Sequence, residues 1–136
     1  MANAAQRQSA VIDNTSNLYT DAFVQAKIKT GASGVSSTGY IQLYVYAAAD
    51  GGTTYSYGAT GSDAAYTIPT NAALRPLGRI GVGANATTYA EIFSVAAAFG
   101  GTLPQKWGVI VDNETGAAFD GTTAALTMQG AYGSYT

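Results

Sequence analysis

In residues 20–30 every second side chain is apolar: Ala22, Val24, Ala26 and Ile28 alternate with Phe23, Gln25, Lys27 and Lys29. Only an extended strand sends successive side chains to opposite faces, so this alternation predicts a half-buried β-strand and constrains the fold more than any other feature. The pattern recurs in residues 40–47, where Ile41, Leu43 and Val45 alternate with Tyr40, Gln42, Tyr44 and Tyr46. In residues 106–112 Trp107, Val109 and Val111 alternate with Gly108, Ile110 and Asp112, a run apolar enough to be buried on both faces. Ala124, Leu126 and Met128 against Ala125, Thr127 and Gln129 predict a closing strand over residues 121–135.

The intervening segments read as connections and shorter strands. Residues 31–39 are a Gly- and Ser-rich loop, and Asp50-Gly51-Gly52 is a turn signal that makes residues 53–57 the expected returning strand of a hairpin. Residues 66–69 predict a short strand stopped by Pro69, residues 75–82 a bend leading into a strand, and residues 113–120 a turn. Residues 87–99 alternate well enough to be read as a strand, with a helix as the alternative for the Ala-rich half. No repeat of fixed period is visible. The expected fold is all-β, an antiparallel β-sandwich or jelly roll of about seven or eight strands. Residues 1–17 lack alternation and are read as an extended N-terminal arm, with residues 18–136 as the sandwich domain.

Composition narrows the chemistry. The chain has no His and no Cys, which excludes a His general base, a Cys nucleophile, a disulfide scaffold and the usual zinc ligands. Six Lys plus Arg against eight Asp plus Glu leave a net charge of −2 and only 10% charged residues, against about 25% in an ordinary domain. No basic face is expected, and so no nucleic-acid partner. No apolar run approaches the length of a signal peptide or membrane span, so no membrane partner is expected and synthesis is expected in the cytoplasm. Of the 47% hydrophobic residues, 26 are Ala and 10 are Tyr, which leaves 25 Leu, Ile, Val and Phe for the core. A thin core under a surface this poor in charge suits a chain that lies against neighbours.

Few residues suggest a site. The Gly78–Gly83 segment has neither the spacing nor the lysine of a phosphate loop, and no cofactor is expected. Arg75 and Arg79, four apart around Pro76, are either solvated or partner contacts to carboxylates. Glu91 and Asp112 are the carboxylates to check for a glycosidase pair, and Asp112, Asn113, Glu114 and Asp120 are either a polar turn or a calcium ligand set. The tyrosines have three readings: cross-strand packing, an assembly interface, or a platform for sugar rings through residues such as Tyr55 and Tyr57.

The stretches SAVIDNTSNLY (residues 9–19), GYIQLYVYAAAD (residues 39–50) and KWGVIVDNETGAAFD (residues 106–120) resemble, in style and over most of the chain, the small β-sandwich virion proteins of tailed bacteriophages, most nearly capsid decoration (cement) proteins. The resemblance implies a non-enzymatic protein on the virion's capsid surface. It would bind the major capsid protein, tie neighbouring capsid subunits together, and form a homo-oligomer such as a dimer or trimer. The expected partner-binding residues are Arg7, Val11 and Ile12 in the arm, Tyr55 and Tyr57, and Arg75 and Arg79. Removal of residues 1–17 is then expected to abolish capsid binding and leave a folded domain. The alternatives are a glycan-binding module of a head or tail fibre, and a tail tube or baseplate subunit.

Overall fold

A computed structural model describes residues 1–48 and 50–133 and shows an all-β sandwich of two antiparallel sheets. Its strands are β1 (Gln6–Gln8), β2 (Ile12–Asp13), β3 (Asp21–Thr30), β4 (Tyr40–Ala48), β5 (Ala64–Tyr66), β6 (Arg75–Gly81), β7 (Thr88–Ser94), β8 (Lys106–Glu114) and β9 (Phe119–Ala131), with one helical turn, α1 (Val95–Ala98). The larger sheet runs β5-β1-β8-β4-β6, with β2 also paired to β8. The smaller runs β7-β3-β9.

The alternating residues do what their period requires. Ala22, Val24, Ala26 and Ile28 of β3 meet Ile41, Leu43 and Val45 of β4 and Trp107, Val109 and Val111 of β8 between the sheets, with Val95 of α1 and Phe119 of β9 closing the layer. A second, smaller core lies on the outer face of the larger sheet, where Tyr46, Ala59 and Ile110 pack with Tyr44, Tyr55, Tyr57, Tyr66 and Leu74. The connection between β4 and β6 folds back over that sheet, and β8 is therefore buried on both faces, as its sequence predicts. Gly108 is required here: a Cβ on it would sit 2.3 Å from the Tyr46 ring, and Tyr46 is held by its hydroxyl donating to the Ser9 carbonyl oxygen at 2.7 Å.

Four expectations are corrected. Residues 1–17 are not an arm, because β1 is an interior strand between β5 and β8 and β2 pairs with β8. These strands are three and two residues long, too short to show alternation, and their partners lie 56 to 106 residues away. Residues 53–57 form no returning strand, because both edges of β4 are already taken by β8 and β6; residues 56–58 make a 3₁₀ turn instead. The strand over residues 87–99 ends at Ser94, whose hydroxyl accepts from the Ala97 N–H at 3.1 Å and caps α1. Alanines 96–98 have weak strand propensity and good helix propensity, so the cap decides the switch. The turn between β8 and β9 is confined to residues 115–118. The last residues of the expected closing strand, 134–135, lie outside the described residues.

The second core also sets the alkaline behaviour. Burial pushes the Tyr46 hydroxyl up to about 12. A tyrosine in the unfolded chain ionises near pH 10, so the folded state binds the proton more tightly. The sign follows: the contribution is complete below pH 10 and is lost as pH rises from about 10 to 12, by about 1.4 kcal/mol per pH unit in that window. Urea denaturation at pH 8, 10 and 11.5 should show a flat stability followed by a steep fall. Equal midpoints at pH 8 and 11.5 would contradict the burial of this hydroxyl.

Candidate functional site

The two sheets close against each other on one side and part on the other. On the closed side Phe93 of β7 packs on β6 at Gly78, where a Cβ would stand 2.1 Å from the Phe93 ring. On the open side β9 and β1 leave between them a groove of about 750 Å³. Val24, Trp107, Val109 and Phe119 line it from the core, Ala124, Leu126 and Met128 from β9, and Arg7 and Ala65 from β1 and β5. Trp107 is 1% exposed, and its indole N–H has no hydrogen-bond acceptor among the described residues.

Charge on the open side is confined to the rim and is self-neutralised. Arg7 Nε donates to Asp63 Oδ1 at 2.7 Å, and this bond holds the Asp63 carboxyl below the usual carboxylate range. Lys29 Nζ pairs with Asp120 Oδ2 at 3.0 Å. Asp120 also accepts from the Thr122 hydroxyl and N–H, which with Lys29 keeps its carboxyl well below the usual range. Asp63 and Asp120 are the carboxylates that line the groove, and each is paired with a cation.

The outer face of the smaller sheet is the other notable surface. Phe23 lies there among Gln25, Lys27 and Lys29 and is 42% exposed, and Ile92 of β7, directly opposite Gln25, is 62% exposed. Together with Thr127, Met128 and Gln129 of β9 they line a shallow depression of about 330 Å³. β9 thus separates the groove on its inner side from this mixed patch on its outer side, in which Phe23 and Ile92 are the exposed large apolar side chains.

Of the expected partner-binding residues, Arg7 and Ile12 line the groove and the others fall elsewhere. Arg7 is exposed at the groove rim, whereas Val11 and Ile12 are half-buried parts of the fold: the Val11 N–H donates to the Gly61 carbonyl oxygen at 2.9 Å, and Ile12 pairs opposite Trp107. Tyr55 and Tyr57 are half-buried in the second core, Tyr55 edge-on to Tyr46 with ring centroids 5.6 Å apart. Arg75 and Arg79 sit on the β6 edge and have internal partners. Arg75 Nη1 donates to the Ala98 carbonyl oxygen at 2.9 Å and its guanidinium lies over Phe99, while Arg79 stacks 3.6 Å from the Tyr40 ring centroid.

The carboxylates do not gather either. Glu91 is on β7, whereas Asp112 accepts from Gln6 Nε2 at 2.9 Å on the larger sheet, and neither lines the groove. Asn113 is fully buried and organises the β8–β9 turn, accepting from the Thr115 hydroxyl at 2.7 Å and donating to the carbonyl oxygens of Ala2 and Ala117. Among the described residues no three acidic groups cluster in a way that could hold a metal ion, and no helix is long and apolar enough to cross a membrane.

Phe23 and Ile92 were not among the residues expected to bind. A signal for Phe23 is present in the sequence, since it is a large aromatic on the otherwise polar face of an amphipathic strand. Ile92 has no comparable signal, because its strand alternates too weakly to assign a wet face. No family model, curated protein or solved structure matches the chain.

Proposed function

We propose that the chain is a non-enzymatic virion structural protein, a capsid decoration protein that binds the outer surface of a tailed-phage head and stabilises the shell by bridging subunits of the major capsid protein. The observation that carries this reading is the outer face of the β7-β3-β9 sheet, where Phe23 and Ile92 stand exposed at 42% and 62%. Large apolar side chains grouped on a flat sheet face mark a protein contact more often than a solvent surface. At one end of the face Lys29 is paired with Asp120 and Lys27 stays exposed, which favours an acidic or neutral partner.

Decoration acts by mass action. A protein that binds the assembled shell and not free capsid subunits lowers the free energy of the shell, and many weak contacts on a closed surface add up. The glycan-binding alternative draws no support from Tyr55 and Tyr57, which are engaged in the second core.

The test is sedimentation of the purified chain with assembled heads and with unassembled capsid protein. Cosedimentation with heads alone is expected, together with a rise in the temperature at which they dissociate. A Phe23→Ser, Ile92→Ser double variant should lose at least tenfold in affinity and keep its β-sheet circular dichroism. Undiminished binding by that variant would remove the contact face, and no binding to heads by the wild type would remove the reading.

A further inference from the structure

The four sheet edges are not equally protected. β6 carries Arg75, Pro76 and Arg79, β7 carries Glu91 at its centre, and β5 is three residues long with Asp63 beside it. These are the devices by which proteins keep an open sheet edge from pairing: charge, proline and short length. β9 is the least protected of the four. Its start carries Asp120 and a bulge, where residues 120–123 stand against Lys29 alone, but from Ala124 to Ala131 it pairs regularly with β3, has neither a charge nor a proline, and has no other partner among the described residues.

We propose that β9 is a self-pairing edge, which joins two copies of this chain antiparallel about a two-fold axis near Leu126. This deepens the oligomer part of the reading above by naming the surface and the number of copies. Three features commit it to a second copy. An antiparallel pair of identical strands is self-complementary, each residue meeting its counterpart across the axis, which is the requirement for a closed dimer. The edge is neutral over its whole pairing length, so that a copy meets it without repulsion, whereas Asp120 falls at the end of the strand, away from the axis. The groove opens along this same edge, with Ala124, Leu126 and Met128 facing inward on it and Met128 still 36% exposed. Pairing β9 to its copy turns the two groove mouths toward each other, and the apolar lining that water now reaches is covered by the same contact that satisfies the free backbone groups.

The test uses the full chain in free solution, with no capsid present, so its outcome is independent of capsid binding. Sedimentation equilibrium at tens of micromolar should give twice the 13.8 kDa chain mass. Ala124→Lys places an inward charge on the exposed rim. It is solvated in one copy and buried in the pair, and should raise the dimer dissociation constant at least a hundredfold. Phe23→Ser, on the outer face, should leave the dimer intact. Hydrogen exchange on the wild type gives a measure that needs no variant: amides of residues 122–130 should exchange slowly in concentrated protein and rapidly on dilution. A monomer at high concentration, a trimer, a dimer indifferent to Ala124→Lys, or β9 amides whose exchange ignores concentration would each overturn the proposal.

Discussion

A chain lacking residues 1–13 should not fold. Those residues supply β1, whose neighbours on both sides are strands of the same sheet, and β2, which pairs beside it on β8. Gln8 is 1% exposed, its side-chain oxygen accepts from the Thr60 N–H at 3.0 Å, and its amide also reaches the Thr60 hydroxyl, so it anchors the loop that covers the second core. The Ser9 carbonyl oxygen receives the Tyr46 hydroxyl, the Ser9 N–H donates to Val109, and the carbonyl oxygen of Ala2 receives the Asn113 amide. Each lost bond costs about 1 kcal/mol, and about 1–3 kcal/mol where a buried partner is left unpaired. Val109, Ile110 and Val111 would also be exposed along an open edge. The sum is comparable to the whole of the about 5–15 kcal/mol that a domain of this kind has to lose. The truncated chain should show no cooperative thermal transition and no near-ultraviolet circular dichroism. A melting temperature within about 5 °C of the intact chain would restore the view of this segment as an appended arm.

Trp107→Ala should be the most damaging single core substitution, at about 3–5 kcal/mol. Trp107 is the largest fully buried side chain; it packs into the main core and forms part of the groove wall. Trp107→Phe should cost much less, because the indole N–H it removes has no acceptor among the described residues and brings no hydrogen-bond energy to lose. Urea denaturation of the two variants separates these effects. Equal losses would mean that the N–H is satisfied in solution, and a loss below about 1 kcal/mol for Trp107→Ala would mean that the groove wall is not close-packed.

The long strands were legible because they are long. β3, β4 and β8 show their inner faces residue by residue, with Ala22 to Ile28, Ile41 to Val45 and Trp107 to Val111 all pointing into one core. β9 shows the same alternation, but its inner residues Ala124 and Met128 line an open groove, because strand order leaves no strand of the other sheet directly over it. Sequence carries period and not order, so neither the groove nor the free edge could be read from it. β1 and β2 escaped for a different reason: a strand of two or three residues has no period, and it is held by partners far away in sequence. The tyrosines of β4 were rightly set on one face, but the chain that folds over Tyr44 and Tyr46 is irregular, and nothing local announces that it covers them. The arginines gave the opposite lesson. Arg75 and Arg79 are rare charges in a nearly neutral chain, which drew attention to them as contacts, whereas their place on the β6 edge suits them to keep that edge unpaired.

The proposal is that this sandwich serves through its small sheet, as a surface for assembly. A cryo-electron-microscopy reconstruction of the intact particle, at a resolution that separates the two sheets, tests it most directly. The predicted result is density for the domain on the outside of the head, with Phe23 and Ile92 against the capsid protein and β9 beside β9 of a second copy. Density confined to the tail or a fibre tip, or a domain seated on the shell through the larger sheet with Phe23 and Ile92 in solvent, would contradict it.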